Sequence, residues 1–223
     1  MRWLEKRPEQ RYATVEEFVE ALRRAALGAR RRGSAVVLPG EAPARAPAPS
    51  LGVAVYVDIR MHVEGDEIDG AVADAGFILD LAEDRLREHG FVVVQTGNSA
   101  IGLRALPTAP AANLAARGAA IEAAAALHEH ILTREGGDPR VHANVCVHVD
   151  GLHWRPGGEI SGGPLVRTEA WAPRGDVLAL CATTAAVDGV TGFDFVAGPT
   201  LLVTAGGEGA APTTPLVTVT RRL

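Results

Sequence analysis

The stretch Val53-Ala54-Val55-Tyr56-Val57-Asp58-Ile59 constrains this chain more than any other, because an apolar strand there delivers a single carboxylate, Asp58, at its end. The residues after it alternate between helical and two-residue periods. A strand over 51–59 should lead into a helix over 68–89, with Val72, Phe77, Ile78, Leu81 and Leu86 on one side and Gly90 as its stop. Two short strands, 91–96 and 100–106, flank a turn at Gly97-Asn98-Ser99. An alanine-rich helix over 111–133 is broken by Gly136-Gly137-Asp138-Pro139. Val141, Ala143, Val145, Val147 and Val149 then mark a central strand, and residues 152–155 should begin its hairpin partner. A short helix over 164–171 and strands near 177–180, 193–196, 201–204 and 216–220 complete the pattern. Together these elements predict an α+β fold in which helices cover a mainly antiparallel sheet.

Three segments follow from composition. Residues 1–27 hold a capping box, Thr14 with Glu17, ahead of Val15, Phe18, Val19 and Leu22 at helical spacing, which predicts a helix ending at Gly28. Residues 28–50 form a Pro/Ala/Arg-rich linker, with Pro39, Pro43, Pro47 and Pro49 among alanines. Residues 51–223 are a domain of their own. Charge divides along the same lines: residues 1–32 hold nine Lys/Arg against five Asp/Glu, and the remainder holds 13 against 22. That acidic excess argues against a nucleic-acid-binding face on the larger part, and Arg30, Arg31 and Arg32 read as a solvated tether. No apolar run reaches the roughly 18 residues a membrane span needs, and the N-terminus lacks a signal pattern, so a cytoplasmic protein is expected. Cys146 and Cys181 match no metal-ligand spacing and are expected to be buried thiols in a reducing compartment. The histidines show no zinc spacing, and His148, among valines, reads as a satisfied core residue rather than a base. Abundant Ala, Gly and Arg beside a single lysine, Lys6, fit the coding bias of a GC-rich bacterial genome.

The run from Leu4 to Glu17, with Arg11 in its centre, resembles the last two helices of bacterial serine/threonine protein kinases; an unrelated amphipathic helix capping the larger domain is the alternative. The chain has no Gly-rich phosphate loop and no catalytic-loop or magnesium-binding aspartate motif, so it is not a kinase alone. The resemblance implies a kinase domain N-terminal to this segment, in a longer polypeptide or in a gene that has lost it.

Residues 52–221 resemble the catalytic domain of class III adenylate and guanylate cyclases, which implies their ferredoxin-like fold. Asp58 in Tyr-Val-Asp-Ile matches the family's first metal aspartate, Val145-Cys146-Val147-His148 its Ile-Gly-Ile-His strand, and residues 172–180 its Ala-x-x-Gly-x-Ile-x-x-Ser continuation. The reaction drives a ribose 3′ oxygen onto the α-phosphate and uses two metal ions held by two carboxylates. Here the family's Lys-Thr-x-Gly-Asp reads Gln95-Thr96-Gly97-Asn98, one residue shorter, so Asn98 stands for the second carboxylate and Gln95 for the base-reading lysine. Glu159 resembles that lysine's acidic partner. Arg167 and Trp171 occupy the positions of the Asn and Arg that handle transition-state charge.

The resemblance therefore implies a cyclase scaffold without its catalytic set, with Asp58 as a vestigial metal position or, preferably, a strand-end residue that binds nearby backbone amides or caps the next turn. A non-catalytic regulatory or dimerising domain in signal transduction is expected, pairing as homodimer or heterodimer through the sheet face around residues 141–149. No cofactor is expected; magnesium or manganese would enter only with residual cyclase activity. The alternatives are a divergent active cyclase, or a nucleotide-sensing module using Arg167 and Arg174.

Overall fold

The computed structural model describes residues 50–62, 68–154, 159–173, 179–197 and 216–221. The kinase-like segment and the linker, the strand expected near 201–204, most of that near 177–180, and Arg174 lie outside these residues. Strand β1 (Ser50–Met61) is followed by helix α1 (Asp69–Glu88), strands β2 (Val92–Thr96) and β3 (Ser99–Ala105), and helix α2 (Pro110–Thr133). The long β4 (Val141–Trp154) and the short β5 (Ile160–Gly162) lead through two 3₁₀ turns, Pro164–Val166 and Thr168–Ala170. Next come β6 (Leu180–Thr183), the one-turn helix α3 (Thr184–Val187), β7 (Phe193–Ala197) and β8 (Leu216–Arg221).

The sheet order is β2-β3-β1-β4-β6-β8-β7, with β5 pairing with β4. Every pairing is antiparallel except β4 with β6. This is the α+β, mainly antiparallel architecture that the alternating periods predict.

Side chains alternate across a strand, so β1 and β4 divide cleanly between two faces. Val53, Val55, Val57 and Ile59 point to one face, opposite Val149, Val147, Val145 and Ala143, and form the main core with α1 and α2. Helix α1 contributes Ala71, Ala75, Ile78, Ala82 and Leu86, spaced at i, i+4, i+7, i+11 and i+15. The expected apolar side of this helix needs correction, because Val72 and Phe77 are 53% and 54% exposed. Ile78 and Leu86 are buried as expected, and Ala71, Ala75 and Ala82 fill the rest of the stripe in place of Val72 and Phe77. Asp74 fixes the two helices together: its carboxylate receives Arg134 Nε at 2.9 Å and Nη2 at 2.7 Å. That bidentate bond raises the Arg134 pKa.

The other face carries Ala54, Tyr56, Asp58 and Arg60, opposite His148, Cys146, Asn144 and His142. A second, smaller core forms there from Ala54, Leu103, Cys146, Leu152, Leu165, Trp171, Ala172, Cys181 and Leu216. Two expectations fail on this side. Residues 152–154 extend β4 rather than starting its partner, and 164–171 form two 3₁₀ turns instead of one helix. Gly163, at φ +120, sits where a Cβ would come within 2.6 Å of Gly151 O, so the entry to those turns requires glycine.

Candidate functional site

Asp58 pairs with Ser99 on β3 and with Asn144 on β4, so the single carboxylate of the opening strand lies mid-sheet. The β2–β3 hairpin closes beside it through a two-residue loop, Gly97-Asn98. Gly97 takes φ +58, the positive value that a primed hairpin turn places at its first central residue. This tight closure accounts for the stretch being one residue shorter than the resemblance leads one to expect. It also aligns Asn98 with the strand end, where its carbonyl accepts a hydrogen bond from Ile59 N at 2.9 Å. The structure thus brings Asp58 and Asn98 together.

Asp58 has a partner that the sequence reading missed. Arg60 Nε donates to Asp58 Oδ2 at 2.7 Å, with the two side chains 38% and 16% exposed. The i, i+2 spacing on a strand was the available signal, since it puts both groups on one face. Around this pair opens a cleft of about 270 Å³, lined by Tyr56, Asp58, Arg60, Thr168, Glu169 and Ala172. Burial, aided by Asp58, raises the Tyr56 pKa against the pull of its hydrogen bonds to Ser99 and Thr168. The phenol therefore stays protonated near neutral pH and can donate as well as accept.

Other expected positions scatter. Gln95 pairs with Ala100, which pairs with Val57, so it lies on the helix-covered face, opposite the cleft. There its Nε2 donates to Glu83 Oε2 of α1 at 2.5 Å. Glu159 precedes Ile160, which pairs with Trp154, nine residues along β4 from the level of Gln95 and three strands across. The register keeps these two apart. Arg167 is exposed in the joint between the 3₁₀ turns.

Trp171 points the other way, into the second core, at 2% exposure. Its Nε1 donates to Leu165 O at 3.2 Å. The indole stacks on the His148 ring with centroids 4.6 Å apart, and Tyr56 meets it edge-on at 5.8 Å. His148 Nδ1 and Thr183 Oγ1 share a hydrogen bond of 2.9 Å, and Asp150 Oδ2 lies 3.7 Å from Nε2. Burial pushes the imidazole down to about 4, despite the opposing attraction of Asp150. His148 is a satisfied neutral core residue, as its valine surroundings suggest. Cys146 and Cys181 are buried free thiols and turn out to be direct neighbours across the parallel β4–β6 pair, with burial raising both pKa values.

No protein-family model and no curated protein sequence matches the chain. Solved structures do. The adenylyl cyclase CyaB from P. aeruginosa superposes with TM-score 0.57 at 10% identity, over 78% of this chain and 96% of that one. It has the fold of a nucleotide cyclase catalytic domain. The guanylate cyclase domain of RhGC from Catenaria anguillulae, solved with GTP, gives 0.55 at 13% identity over 78% and 98% of the two chains. The guanylyl cyclase domain of RhoGC from Blastocladiella emersonii, solved as a non-canonical dimer, gives 0.54 at 10% over 78% and 97%. Within this cyclase fold, the Asp58 cleft and the buried Trp171 are the features with chemical consequence. No helix among the described residues is long and apolar enough to cross a membrane.

Proposed function

We propose that residues 51–223 are a non-catalytic, cyclase-like regulatory domain that acts by pairing, in a signalling protein that also carries a serine/threonine kinase. The observation that carries this reading is Trp171. Its position corresponds to the transition-state arginine of the resembling family, yet the indole is packed under the sheet and hydrogen-bonded to Leu165 O. An indole in that place neutralises no phosphate oxygen, and losing such a cation typically costs factors of about 10³ to 10⁵. The metal position supports the same conclusion. Asp58 is held by Arg60 and Asn98 brings an amide without charge, so these positions supply one carboxylate where a two-metal site uses two. These residues do not fit a two-metal centre, so no metal cofactor is assigned.

Pairing directly through residues 141–149 is not favoured, because Val141, Val145 and Val147 are buried against the helices and Asn144, Cys146 and His148, on the other face, are buried as well. The better surface is the open part of the other face, where Val92 and Val94 of β2 are 47% and 46% exposed beside Ile101. The kinase connection rests on the resemblance of residues 4–17 alone. A second reading is supported by the cleft, whose hydroxyls and ion pair suit a polar ligand: the domain senses a nucleotide, as the GTP-bound relative suggests.

The test is a cyclase assay of the full chain with ATP and with GTP, each with magnesium and with manganese. No cyclic nucleotide above the blank is the expected result; product that disappears in Asp58→Ala would overturn the proposal. Sedimentation should reveal a dimer in the micromolar range that Val94→Lys weakens at least about tenfold, or roughly 1.4 kcal/mol. A monomer at all concentrations would remove the pairing role. Titration of ATP with and without magnesium examines the sensing role separately.

A further inference from the structure

Two histidines far apart in the sequence meet at the end of the central strand pair. The β1–β4 ladder runs in register to Arg60↔His142 and Met61↔Val141, and His62 N continues it by donating to Arg140 O at 2.9 Å. Side chains two residues apart share a face, so His62 follows Asp58 and Arg60 on the second face of the sheet, and His142 lies on the same face of β4. The two imidazoles come together diagonally across the strands, with ring centroids 5.6 Å apart and planes tilted by 52°. His62 is exposed and His142 half-buried, so solvent reaches the pair. The guanidiniums beside it are already balanced by carboxylates. Arg60 reaches back to Asp58 Oδ2 at 2.7 Å, and Arg140 grips Asp138 through Nε at 2.9 Å and Nη2 at 2.7 Å.

We infer that His62 and His142 form a binding site for a divalent transition-metal ion, with zinc the best fit. An imidazole nitrogen lies about 1.2 Å from its ring centroid and about 2.0–2.1 Å from a bound zinc, so two imidazoles on one tetrahedral ion place their centroids about 5.2 Å apart. The observed separation exceeds this by about 0.4 Å, which a small side-chain rotation absorbs. Imidazole suits zinc, copper and nickel, whereas magnesium takes oxygen ligands, so this site differs in kind from the Asp58 position. Because Asp58 and Asp138 offset the neighbouring arginines, those four residues present no net charge to repel a dication. Both ligands ride on one hydrogen-bonded ladder, which fixes their spacing before the ion arrives. Among the described residues no third histidine, cysteine or carboxylate joins them, and water fills the remaining positions on the ion. The bound ion ties β1 to β4 beyond their last paired residues and holds exchangeable water next to Arg60, at the edge of the cleft. This site goes beyond the proposed function and depends on none of its parts.

The experiment uses the full chain, uniformly ¹⁵N-labelled, with zinc chloride as the probe and the imidazole nitrogens of the seven histidines as the readout. Zinc should shift the His62 and His142 resonances together and saturate at one ion per chain, and magnesium should leave them in place. His62→Gln and His142→Gln should each weaken zinc binding at least about tenfold, since losing even the outer partner of a metal ligand costs that much. Urea unfolding without zinc should be the same for parent and variants, which shows that they fold; added zinc should raise the midpoint of the parent alone. His153→Gln removes an exposed histidine at the other end of β4 and should leave binding unchanged. No saturable shift up to about millimolar zinc, a response from one ring of the pair without the other, zinc binding in His62→Gln or His142→Gln as tight as in the parent, or an equal loss in His153→Gln would each overturn the inference.

Discussion

The two faces of the β1–β4 pair follow different rules. On the helix-covered face, Val53, Val55, Val57 and Ile59 meet a row of valines and alanine, and any residue of similar volume and apolarity would serve. On the other face, an aspartate is paired with its own neighbour and a tryptophan turns inward, at positions that on the proposed reading a cyclase would use for chemistry. Hydrophobic packing tolerates substitution as long as pattern and volume persist, whereas catalysis needs particular groups at particular atoms. At 10 to 13% identity, this chain keeps the first property across a superposition covering 78% of its length. The second face carries a smaller core, with Trp171 at its centre.

The sharpest way to break this comparison is at Trp171. If the second face is a true core, Trp171→Ala should cost about 3–5 kcal/mol, comparable to Ile78→Ala under α1. Trp171→Arg, which places there the residue of the resembling family, should be at least as damaging, since it buries a charge among Leu165, His148 and Cys146. Urea unfolding of the full chain measures both. A Trp171→Arg protein within about 1 kcal/mol of the parent would mean that the position still opens to solvent, as a catalytic residue must.

His148 sharpens the same point through pH. Its folded pKa, about 4, lies below the usual imidazole value of 6.5, so the folded state resists protonation more than the unfolded one. Its contribution is present above pH 6.5 and is lost as pH falls from 6.5 towards 4. The linked free energy is about 2–4 kcal/mol across that window. Comparing unfolding of the parent and His148→Gln from pH 7 to pH 4 isolates this from the carboxylates. Parallel pH curves for the two proteins would show that His148 titrates normally and that the second face is wet.

The sequence showed the scaffold well because strand alternation and helix-breaking glycines are local signals. It was less informative about α1, where Ile78 and Leu86 are buried as expected but three alanines complete the stripe and the larger Val72 and Phe77 remain outside. The 164–171 stretch was misread for a different reason: a Pro164 start suits a helix, but the chain leaves the helical region at Arg167, with φ −90 and ψ 72, and so divides into two 3₁₀ turns. The sequence resemblance proposes Gln95, Asn98, Arg167 and Trp171 as departures from the cyclase pattern. What each does instead depends on partners distant along the chain, such as Glu83 for Gln95, and no spacing rule reveals those.

The smallest expected effect compares the two aspartate–arginine pairs, one on each face. Asp74 and Arg134 have side chains only 10% and 13% exposed, and Asp74 also accepts a bond from Asp138 N, so Asp74→Ala leaves a largely buried guanidinium and amide without their acceptor. That loss should cost about 2–3 kcal/mol. Asp58 and Arg60 sit at the mouth of the cleft, with Arg60 38% exposed, and water can replace either partner. Asp58→Ala should therefore change stability by less than about 1 kcal/mol. The difference matters for the origin of the pair. If Asp58→Ala cost as much as Asp74→Ala, the Asp58 carboxylate would be a structural element that the fold requires regardless of chemistry. If it costs little, as expected, Asp58 and Arg60 are spectators of folding, and the cleft between them is free to serve a ligand.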